Sequence, residues 1–470
     1  MSGADHPEYD AVIIGAGISG LVCGNYLAKA GMKVLIAEQH HKPGGYCTSF
    51  TRRGFTFDAA AHSFGGYREN GILRKVFQDF SLDKNIPITR YDPSDILLTP
   101  EYRVCLWSDP EKTIEDLREP FPKEADKYRE FVAFLMNPSL NSFARMRSWT
   151  FKDLLDHYFQ NEALKSMLAF PIFGNGALPP SRMSAFIGAK IFIEFLLDGG
   201  YYPDGGMHVM SNALAERFQE YGGELLLSSP VQKIIVRNGN VSGVVINNTL
   251  ISSRHVISNC DARQTFLNLV GKKHLPQEFL NKLNRMIPSL SMFVLYLGMD
   301  QAFPENAGSN IWYLPQYDLE NMYRSAARRS HKNISEFMMR ISPNGKCILA
   351  FIHAPYRNKP FWLNNREKFI ESFIIHLTHI MPDIAQHILH KEAATPHTMH
   401  RYTLNYRGAA YGWESIHSQL ADVDFRRPSF LHNLSLTGHW STQGLGIPGV
   451  AYLGYDTAST LLKRRKTLPS

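Results

Sequence analysis

The sequence is poor in cysteine, and its few cysteines are not arranged as a disulfide framework or a metal site. Only five of the 470 residues are cysteine, and they stand singly at Cys23, Cys47, Cys105, Cys260 and Cys347. No Cys-x-x-Cys pair occurs, which excludes zinc-site spacing and a disulfide-rich scaffold and fits a reducing compartment. We therefore predict no metal centre, and we interpret Cys47 as a free buried thiol.

The chain also lacks long apolar runs, a signal-peptide core and a nucleic-acid-binding motif. No stretch reaches 18 uninterrupted apolar residues, and the start, Met1–Glu8, is polar. From these absences we predict a cytoplasmic protein without a signal peptide, a transmembrane helix or a nucleic-acid partner. With 44% hydrophobic and 20% charged residues the chain is globular, and its length fits two domains. Its formal net charge of +7 fits either a basic soluble protein or one attracted to an anionic lipid surface.

The first forty residues contain the pattern of a dinucleotide-binding unit. Tyr9–Ile14 is a short β-branched strand, and it leads into Gly15-Ala-Gly-Ile-Ser-Gly20, a Gly-x-Gly-x-x-Gly turn. A helix predicted over Leu21–Ala30 stops before a glycine, and a second apolar strand ends on Glu38. Since turn, helix, strand and acid follow in this order, an unrelated Gly-rich loop is a poor explanation, and we predict a dinucleotide site.

The residue types of this unit have separate physical roles. Gly15 permits the tight turn, Gly17 lets the backbone approach a pyrophosphate, and Gly20 lets helix and strand pack closely. The N–H groups at the helix start, Ile18-Ser19, then face the phosphates. Glu38 lies 18 residues after Gly20, where its carboxylate can accept hydrogen bonds from ribose hydroxyls.

Further motifs give the sequence a family resemblance. Gly44-Gly45 follows Glu38 by six residues, and Phe55-Thr-Phe-Asp58 introduces Ala61-His-Ser-Phe-Gly-Gly66. With the glycine turn, these motifs resemble the carotenoid-desaturase-like flavoprotein oxidoreductases, which include bacterial phytoene desaturases, plant prolycopene isomerases and vertebrate retinol saturases. In that family the Gly-Gly extension continues the dinucleotide site toward the flavin ring, so the resemblance implies FAD as the cofactor. It also assigns Gln39, beside Glu38, to the cofactor site.

The resemblance extends to the middle and the end of the chain. In the family stretch that is similar to residues 199–261, the residue at Val231 holds the adenine through its backbone. The terminal flavin-binding motif lies between a strand over Asn433–Gly438 and a helix predicted from about Tyr455. Its residues in this sequence are Gly438, Gly446, Pro448, Gly449 and Val450. His439 replaces a frequent Asp and Gln443 a frequent Pro, which predicts an altered ribityl contact.

The order of the motifs predicts a two-domain α/β flavoprotein. A Rossmann-type FAD-binding domain is discontinuous in sequence, and an α+β substrate domain combines an antiparallel sheet with helices. We place the FAD-binding domain in 1–75, 200–285 and 415–470, and the substrate domain in 76–199 and 286–414.

Two stretches of the substrate domain are candidates for substrate or membrane contact. Met183–Leu197 is the most apolar helix candidate, with Lys190 and Glu194 one turn apart, and it lies in the core or along an apolar cavity. Asn141–Phe151 combines aromatic side chains with Arg145 and Arg147. It either packs in a helical cap or lies in a lipid interface as part of a peripheral membrane protein.

The resemblance also implies the chemistry. Family members exchange hydride between flavin and polyene carbons, and they desaturate, saturate or isomerise, so we expect a long apolar isoprenoid or polyene substrate of carotenoid or retinoid type. His62 is the first catalytic candidate, because retinol-saturase-like members carry this Asp-x3-His histidine and its pKa range suits proton transfer. A hydrogen-bonded structural histidine explains His62 equally well. Tyr411 and His439 are further candidates, since the terminal motif places both near the flavin ring.

Two alternatives remain open at this stage. One is a non-catalytic carrier of prenyl lipids on the same fold, similar to the Rab GDP-dissociation inhibitors. The other is a flavoenzyme similar to amine or porphyrinogen oxidases. The intact Glu38, Gly44-Gly45 and terminal motif favour a retained flavin and therefore an enzyme. The sequence identifies neither the external electron acceptor or donor nor the oligomeric state.

Overall fold

Two seven-stranded sheets form the framework of the fold. The structure is a computed structural model that describes residues 8–137, 146–420, 424–442 and 446–467. Nearly all of Met1–Glu8 lies outside these ranges, as do Arg145 and Gln443, so the expectations that concern these residues stay predictions.

The strands are β1 Tyr9–Ile14, β2 Val34–Ala37, β3 Ser49–Arg52, β4 Phe55–Asp58, β5 Ile88–Arg90, β6 Asp95–Leu98, β7 Arg103–Leu106, β8 Tyr201–Pro203, β9 Glu224–Leu226, β10 Val231–Arg237, β11 Asn240–Ile246, β12 Thr249–Ser258, β13 Ser291–Met299, β14 Asn310–Tyr313, β15 Phe337–Ile341, β16 Cys347–Ala354, β17 Ile388–Ala394 and β18 Leu434–Leu436. The α-helices are α1 Ile18–Lys29, α2 Ile72–Asp79, α3 Pro110–Arg118, α4 Ala125–Met136, α5 Phe151–Tyr158, α6 Glu162–Gly176, α7 Ala185–Ile191, α8 His208–Glu220, α9 Gln277–Arg285, α10 Leu319–Ala326, α11 Lys359–Leu377, α12 Pro396–Thr403, α13 His417–Leu420 and α14 Gly446–Thr467. Phe192–Leu197 and Gln264–Gly271 are π-helical, and Lys272–His274, Ile384–His387 and Tyr406–Gly408 are 3-10 turns.

The first sheet is parallel at its centre, where the strand order is β18–β12–β1–β2–β9. The apolar β1 lies between β12 and β2 and is almost wholly buried, as expected of a parallel strand with both faces covered. Parallel strands end at one edge of a sheet. The glycine turn after β1, Glu38 after β2 and Gly438 after β18 therefore come together there, as in other open parallel sheets.

Strand β12 joins this parallel centre to an antiparallel edge. Its first half pairs with β11, where Ser252 faces Gly243, and its second half runs parallel to β1, where Val256 faces Val12. The hairpin predicted at Asn238-Gly239 connects β10 and β11.

The second sheet has the order β17–β13–β16–β15–β14–β6–β7 and is antiparallel except for the parallel pair of β14 and β6. Its long central strands β13 and β16 are buried along their whole length. One face packs on α11 through Phe369 and Phe373. The other face contributes Trp312 and Phe351 to a core shared with α4 to α7. The predicted α/β fold with a largely antiparallel second sheet is confirmed.

The apolar helix predicted over Met183–Leu197 is divided into α7 and the following π-helical turn. Glu194 pairs with Arg68 at 2.9 Å rather than with Lys190. The wider turn brings the Glu194 carbonyl so close to Gly65 that an added Cβ on the glycine would lie 1.5 Å from it. Local periodicity cannot reveal this turn, because the segment that it meets is distant in the sequence.

Helix α14 begins at Gly446, so the predicted start near Tyr455 is wrong. The glycines and the proline at 446–449 are unfavourable inside a helix, so the sequence predicts that the helix begins only after them. Proline is nevertheless compatible with a first helical turn, where its missing N–H has no intrahelical partner to lose. Within α14, a Cβ on Gly454 would lie 2.4 Å from the Ser19 carbonyl, so α14 packs very closely on α1.

The basic aromatic stretch Asn141–Phe151 is described only in its second half, and its first five residues, which include Arg145, lie outside the described residues. Phe151 is fully buried, Trp149 is half-buried and Arg147 is exposed. The described aromatic side chains thus pack within the helical cap. The lipid-interface interpretation stays a prediction. Of the helices in the described ranges, none is long and apolar enough to span a membrane.

Candidate functional site

A cavity of about 300 Å³ runs along the edge where the parallel strands end and continues to the second sheet. Most residues predicted from the sequence to bind cofactor line it, namely Gly15, Gly17, Ile18, Ser19, Glu38, Gln39, Gly44, Gly45, Val231, Gly438, Gly446 and Val450. The three catalytic candidates, His62, Tyr411 and His439, line the same cavity. Gly20, Pro448 and Gly449 do not line it.

The glycine turn opens the start of α1 toward the cavity. Gly15 has a φ of +96°, which glycine adopts without strain. Gly17 precedes the helix and offers no side-chain cap, so the first N–H groups of α1 remain available to an anion. A Cβ on Gly20 would lie 2.2 Å from the Gly15 carbonyl, so Gly20 permits the close packing predicted for it.

Asn259, at the end of β12, stabilises this turn from the side. Its Nδ2 donates to the Gly15 carbonyl at 3.2 Å. Its Oδ1 would lie 2.5 Å from a Cβ on Gly438, which has a φ of +77°. Asn259 therefore fits between the first and last predicted cofactor motifs. Asn259 is not among the site residues predicted from the sequence, although a polar residue directly after a buried parallel strand is a usable signal.

Glu38 is tied to the glycine turn. Its Oε2 accepts a hydrogen bond from the Ala16 N–H at 2.7 Å, and its Oε1 accepts one from the His40 N–H at 2.8 Å. Burial raises the pKa of Glu38, and these backbone donors oppose the rise by stabilising the carboxylate. The side chain thus lies on the cavity wall in a defined position.

Gly44-Gly45 packs onto the same turn. The Gly44 N–H donates to the Ala16 carbonyl at 2.8 Å. Gly44 has a φ of +119°, and a Cβ there would lie 2.4 Å from the Cys47 carbonyl. Cys47 itself is free and buried as predicted, and burial raises the pKa of its thiol to about 12.

His62 lies beyond β4 on the wall nearest the second sheet. Its Nδ1 is 3.2 Å from the Ala60 carbonyl, and its ring is 5.8 Å from that of Phe351. Burial, together with the positive charge of Arg340, lowers the pKa of His62 to about 4. The imidazole is therefore neutral at pH 7, and it can accept a proton but is a weak base.

Tyr411 and His439 complete this end of the cavity. The Tyr411 hydroxyl donates to the Gly174 carbonyl at 2.5 Å, and burial raises the pKa of Tyr411. Burial lowers the pKa of His439 to about 4, and its ring lies 5.7 Å from that of Trp440. None of the three catalytic candidates is charged at pH 7, so the chamber that they border is suited to an uncharged group.

Several cavity residues were not predicted from the sequence. The hydroxyl groups of Thr437 and Ser19 form a hydrogen bond of 2.7 Å. Asp95, Asn310 and Ser63 form a polar part of the wall. Asp95 and Asn310 could not be grouped from the sequence, because they are 215 positions apart and meet only in the folded chain.

Comparisons with known proteins give concordant results. The family model "Flavin containing amine oxidoreductase" matches residues 18–462. The chain is 25% identical to the all-trans-retinol 13,14-reductase of Danio rerio, over 92% of this chain and 82% of that protein. It is 24% identical to the lycopene-forming phytoene desaturase of Pseudescherichia vulneris, over 96% of this chain and 99% of that protein. The resemblance inferred from the motifs is confirmed.

The fold is also similar to that of solved structures. Cyclohexylamine oxidase from Brevibacterium oxydans aligns with a TM-score of 0.67 at 16% identity, over 98% of this chain and 100% of that chain. An oxidoreductase from Methanosarcina mazei aligns with a TM-score of 0.66 at 16% identity, over 96% of this chain and 99% of that chain. At such identities the likeness concerns the fold alone.

Proposed function

Since this chain belongs to the family of flavin-containing amine oxidoreductases, we propose that it is an FAD-dependent oxidoreductase acting on carbon–carbon bonds of a long apolar isoprenoid or polyene. The observation that carries this proposal is the continuity of the cavity. It joins a dinucleotide-type glycine turn to a chamber bordered by Phe195, Met292 and Tyr411. Two of its relatives by sequence are named as a retinol reductase and a phytoene desaturase, which supports a substrate of this class.

The residues at the sheet edge fit FAD. The uncapped start of α1 suits the pyrophosphate, and the Glu38 carboxylate suits the ribose hydroxyls. The backbone at Val231 would hold the adenine, and Gly44-Gly45 with the 438–450 motif would hold the flavin. When bound, the flavin supplies the two-electron acceptor or donor.

The chain's own part in the reaction is orientation and exclusion of water. His62 and His439 are neutral at pH 7, and the Tyr411 hydroxyl is engaged by a backbone carbonyl. None of these groups is a strong acid or base, which suits hydride exchange with a polyene carbon better than reactions that require a charged catalytic group. His62, with one ring nitrogen directed away from Ala60, remains the first candidate for moving a proton.

An amine substrate fits the cavity less well. The carboxylates that line it within the described residues are Glu38 and Asp95. Glu38 is bound by the glycine turn, and Asp95 accepts three hydrogen bonds and lies near the Arg340 guanidinium. Among the residues that the structure describes, an ammonium group would therefore find no free counter-charge.

The first test is the absorbance spectrum of the purified protein, with the released cofactor identified after denaturation. Visible flavin bands and release of FAD are expected. A colourless protein that still binds prenyl lipid would instead support the carrier alternative.

A second test adds candidate substrates to the flavin-loaded protein in the absence of oxygen. Bleaching of the flavin by cyclohexylamine or putrescine but not by polyenes would favour an amine oxidase.

A further inference from the structure

A row of polar side chains crosses the second sheet at the cavity wall. Asn310 on β14 faces Asp95 on β6 and Arg340 on β15. Asn310 Nδ2 donates to Asp95 Oδ1 at 3.0 Å, and Arg340 Nη1 donates to Asn310 Oδ1 at 3.1 Å. None of the three is more than 6% exposed. Asp95 and Asn310 line the cavity beside His62 and Ser63.

The two neighbours fix the orientation of the Asn310 amide, because an arginine only donates and a carboxylate accepts. The amide nitrogen is directed toward Asp95 and Ser63, whose Oγ is 3.5 Å away. Asp95 also accepts from Trp312 Nε1 and from Ser94 Oγ, each at 2.7 Å, so its position is fixed. The second N–H of Asn310 is directed at Ser63 Oγ, which leaves the proton of the Ser63 hydroxyl as a donor on the cavity wall.

His62 supplies an acceptor on the same wall. In the neutral ring, Nδ1–H donates to the Ala60 carbonyl and Nε2 carries the lone pair. Burial and the positive charge of the nearby Arg340 both favour this neutral form. The wall therefore offers a donor and an acceptor together, next to the apolar ring of Phe351.

We propose that His62 and Ser63, with Asn310 orienting Ser63, bind a hydroxyl group at one end of the substrate, so that the substrate is a polyene or isoprenoid alcohol rather than a hydrocarbon. This inference rests on the proposed function, since it names the end group of the substrate of the same cavity. A hydroxyl donates to His62 Nε2 and accepts from the Ser63 hydroxyl. A hydrocarbon would leave His62 Nε2 and the Ser63 proton, both on a half-buried part of the cavity wall, without a hydrogen-bond partner from the substrate. A carboxylate has no proton for His62 and would lie near the Asp95 carboxylate.

Arg340 is a positioning residue in this arrangement. Its guanidinium lies over the rings of Tyr91 and Tyr202, at 5.6 and 5.1 Å. It acts on the hydroxyl site through the Asn310 oxygen that it holds. A lysine at this position can still donate to that oxygen, whereas a methionine cannot.

The test compares two probes on FAD-loaded protein, all-trans-retinol and its deoxy hydrocarbon axerophthene, by quenching of tryptophan fluorescence. The wild type is expected to bind the alcohol at least about tenfold more tightly than the hydrocarbon. In Asn310→Leu this preference should fall to within about twofold, through loss of alcohol affinity only. Arg340→Met should also lose the preference and Arg340→Lys should retain it. Flavin content and melting temperature verify that each variant is folded.

Asn175→Leu is the matched control, since Asn175 also lines the cavity but donates to the Pro171 carbonyl outside the cluster. It should keep the wild-type preference. Equal binding of the two probes by the wild type, or equal loss of preference in Asn175→Leu, would overturn the hydroxyl site while the proposed oxidoreductase stands. Flavin-loaded protein that binds neither probe would contradict the proposed function itself. Ser63→Ala removes the donor itself and should also bring the preference to within about twofold, and an unchanged ratio there would overturn the hydroxyl site.

Discussion

The Ala16 N–H donates to Glu38 Oε2 at 2.7 Å, which ties the acid after β2 to the glycine turn after β1. A glutamine at position 38 has one acceptor oxygen in place of two. We predict that Glu38→Gln lowers FAD affinity about tenfold and the free energy of unfolding by about 1 kcal/mol. Flavin titration of the apoprotein and urea unfolding measure the two effects. Glu216→Gln, on an exposed position of α8, should change neither, and a folded Glu38→Gln protein with wild-type affinity would exclude the ribose contact.

The residue type at position 17 is limited by the space available to a side chain rather than by backbone strain. Gly17 has a φ of −69°, which any residue adopts, but its Cβ would lie 3.0 Å from Asn259 Nδ2 and enter the cavity. We predict that Gly17→Val abolishes flavin retention while the protein stays folded, and that Gly17→Ala weakens it less. Visible absorbance and circular dichroism test this. A Gly17→Val protein that purifies with a full complement of flavin would contradict the assignment.

Arg68 holds the π-helical turn through Glu194 and Asp198, with distances of 2.9 and 2.7 Å. The Asp198 side chain is only 5% exposed, so loss of its cation leaves a largely buried carboxylate. Arg68→Met should lower the free energy of unfolding by about 2 kcal/mol in urea. Arg129→Met, which removes two ion pairs on the surface, with Glu111 and Asp126, should shift the urea midpoint little. Equal effects of the two variants would argue against a structural role for the Arg68 pairs.

We expect His353 to lower the stability of the folded protein in acid. It is 4% exposed, its Nε2 has no partner, and burial lowers its pKa to about 3. An unfolded histidine titrates near pH ~6.5, so below that pH the unfolded chain binds the proton that the folded chain excludes. Stability is therefore full above about pH 6.5 and falls as the pH drops toward the folded pKa.

His353→Leu should remove this part of the acid sensitivity. Between pH 7 and pH 5 its free energy of unfolding should fall by about 2 kcal/mol less than that of the wild type. Urea unfolding at the two pH values provides the measurement. If the free energy of unfolding fell equally in wild type and variant, His353 would be able to take up a proton in the folded state, which contradicts the prediction.

The lipid-interface interpretation makes a separate prediction. Arg147 is exposed, and the chain carries a formal net charge of +7. Arg147→Glu should weaken co-sedimentation with anionic liposomes, since it replaces an attraction by a repulsion. Lys84→Glu makes the same charge change at another exposed position and should have a smaller effect. Equal effects would mean that only net charge matters, and no effect would count against membrane contact at Arg147.

The dinucleotide-binding part of the site could be predicted from the sequence, because its elements follow one another closely along the chain. From Tyr9 to Glu38, strand, turn, helix, strand and acid follow within thirty residues, and each piece has a residue signal. The terminal motif was found through its similarity to a family, but the start of α14 was placed too late because Gly446 and Pro448 weaken a helix signal. The domain boundaries remain predictions.

The substrate end of the cavity was much less predictable. His62 stood out through a motif, whereas Asp95, Asn310 and Arg340 meet only because three strands from distant parts of the chain become neighbours. Nothing in their local sequence distinguishes them from other polar residues. The π-helical turn was equally hard to predict, since its contacts with Gly65 and Arg68 come from a distant segment of the chain.

The most direct test of the proposed oxidoreductase is an anaerobic titration of the FAD-loaded protein with polyenes in both redox states. We predict that a retinoid or carotenoid substrate either bleaches the oxidised flavin or restores its bands in the chemically reduced protein, with a matching change in the polyene spectrum. Bleaching would identify a desaturase, and reoxidation a saturase. A protein that holds FAD and binds polyenes, yet exchanges no electrons with them in either state, would contradict the proposed function.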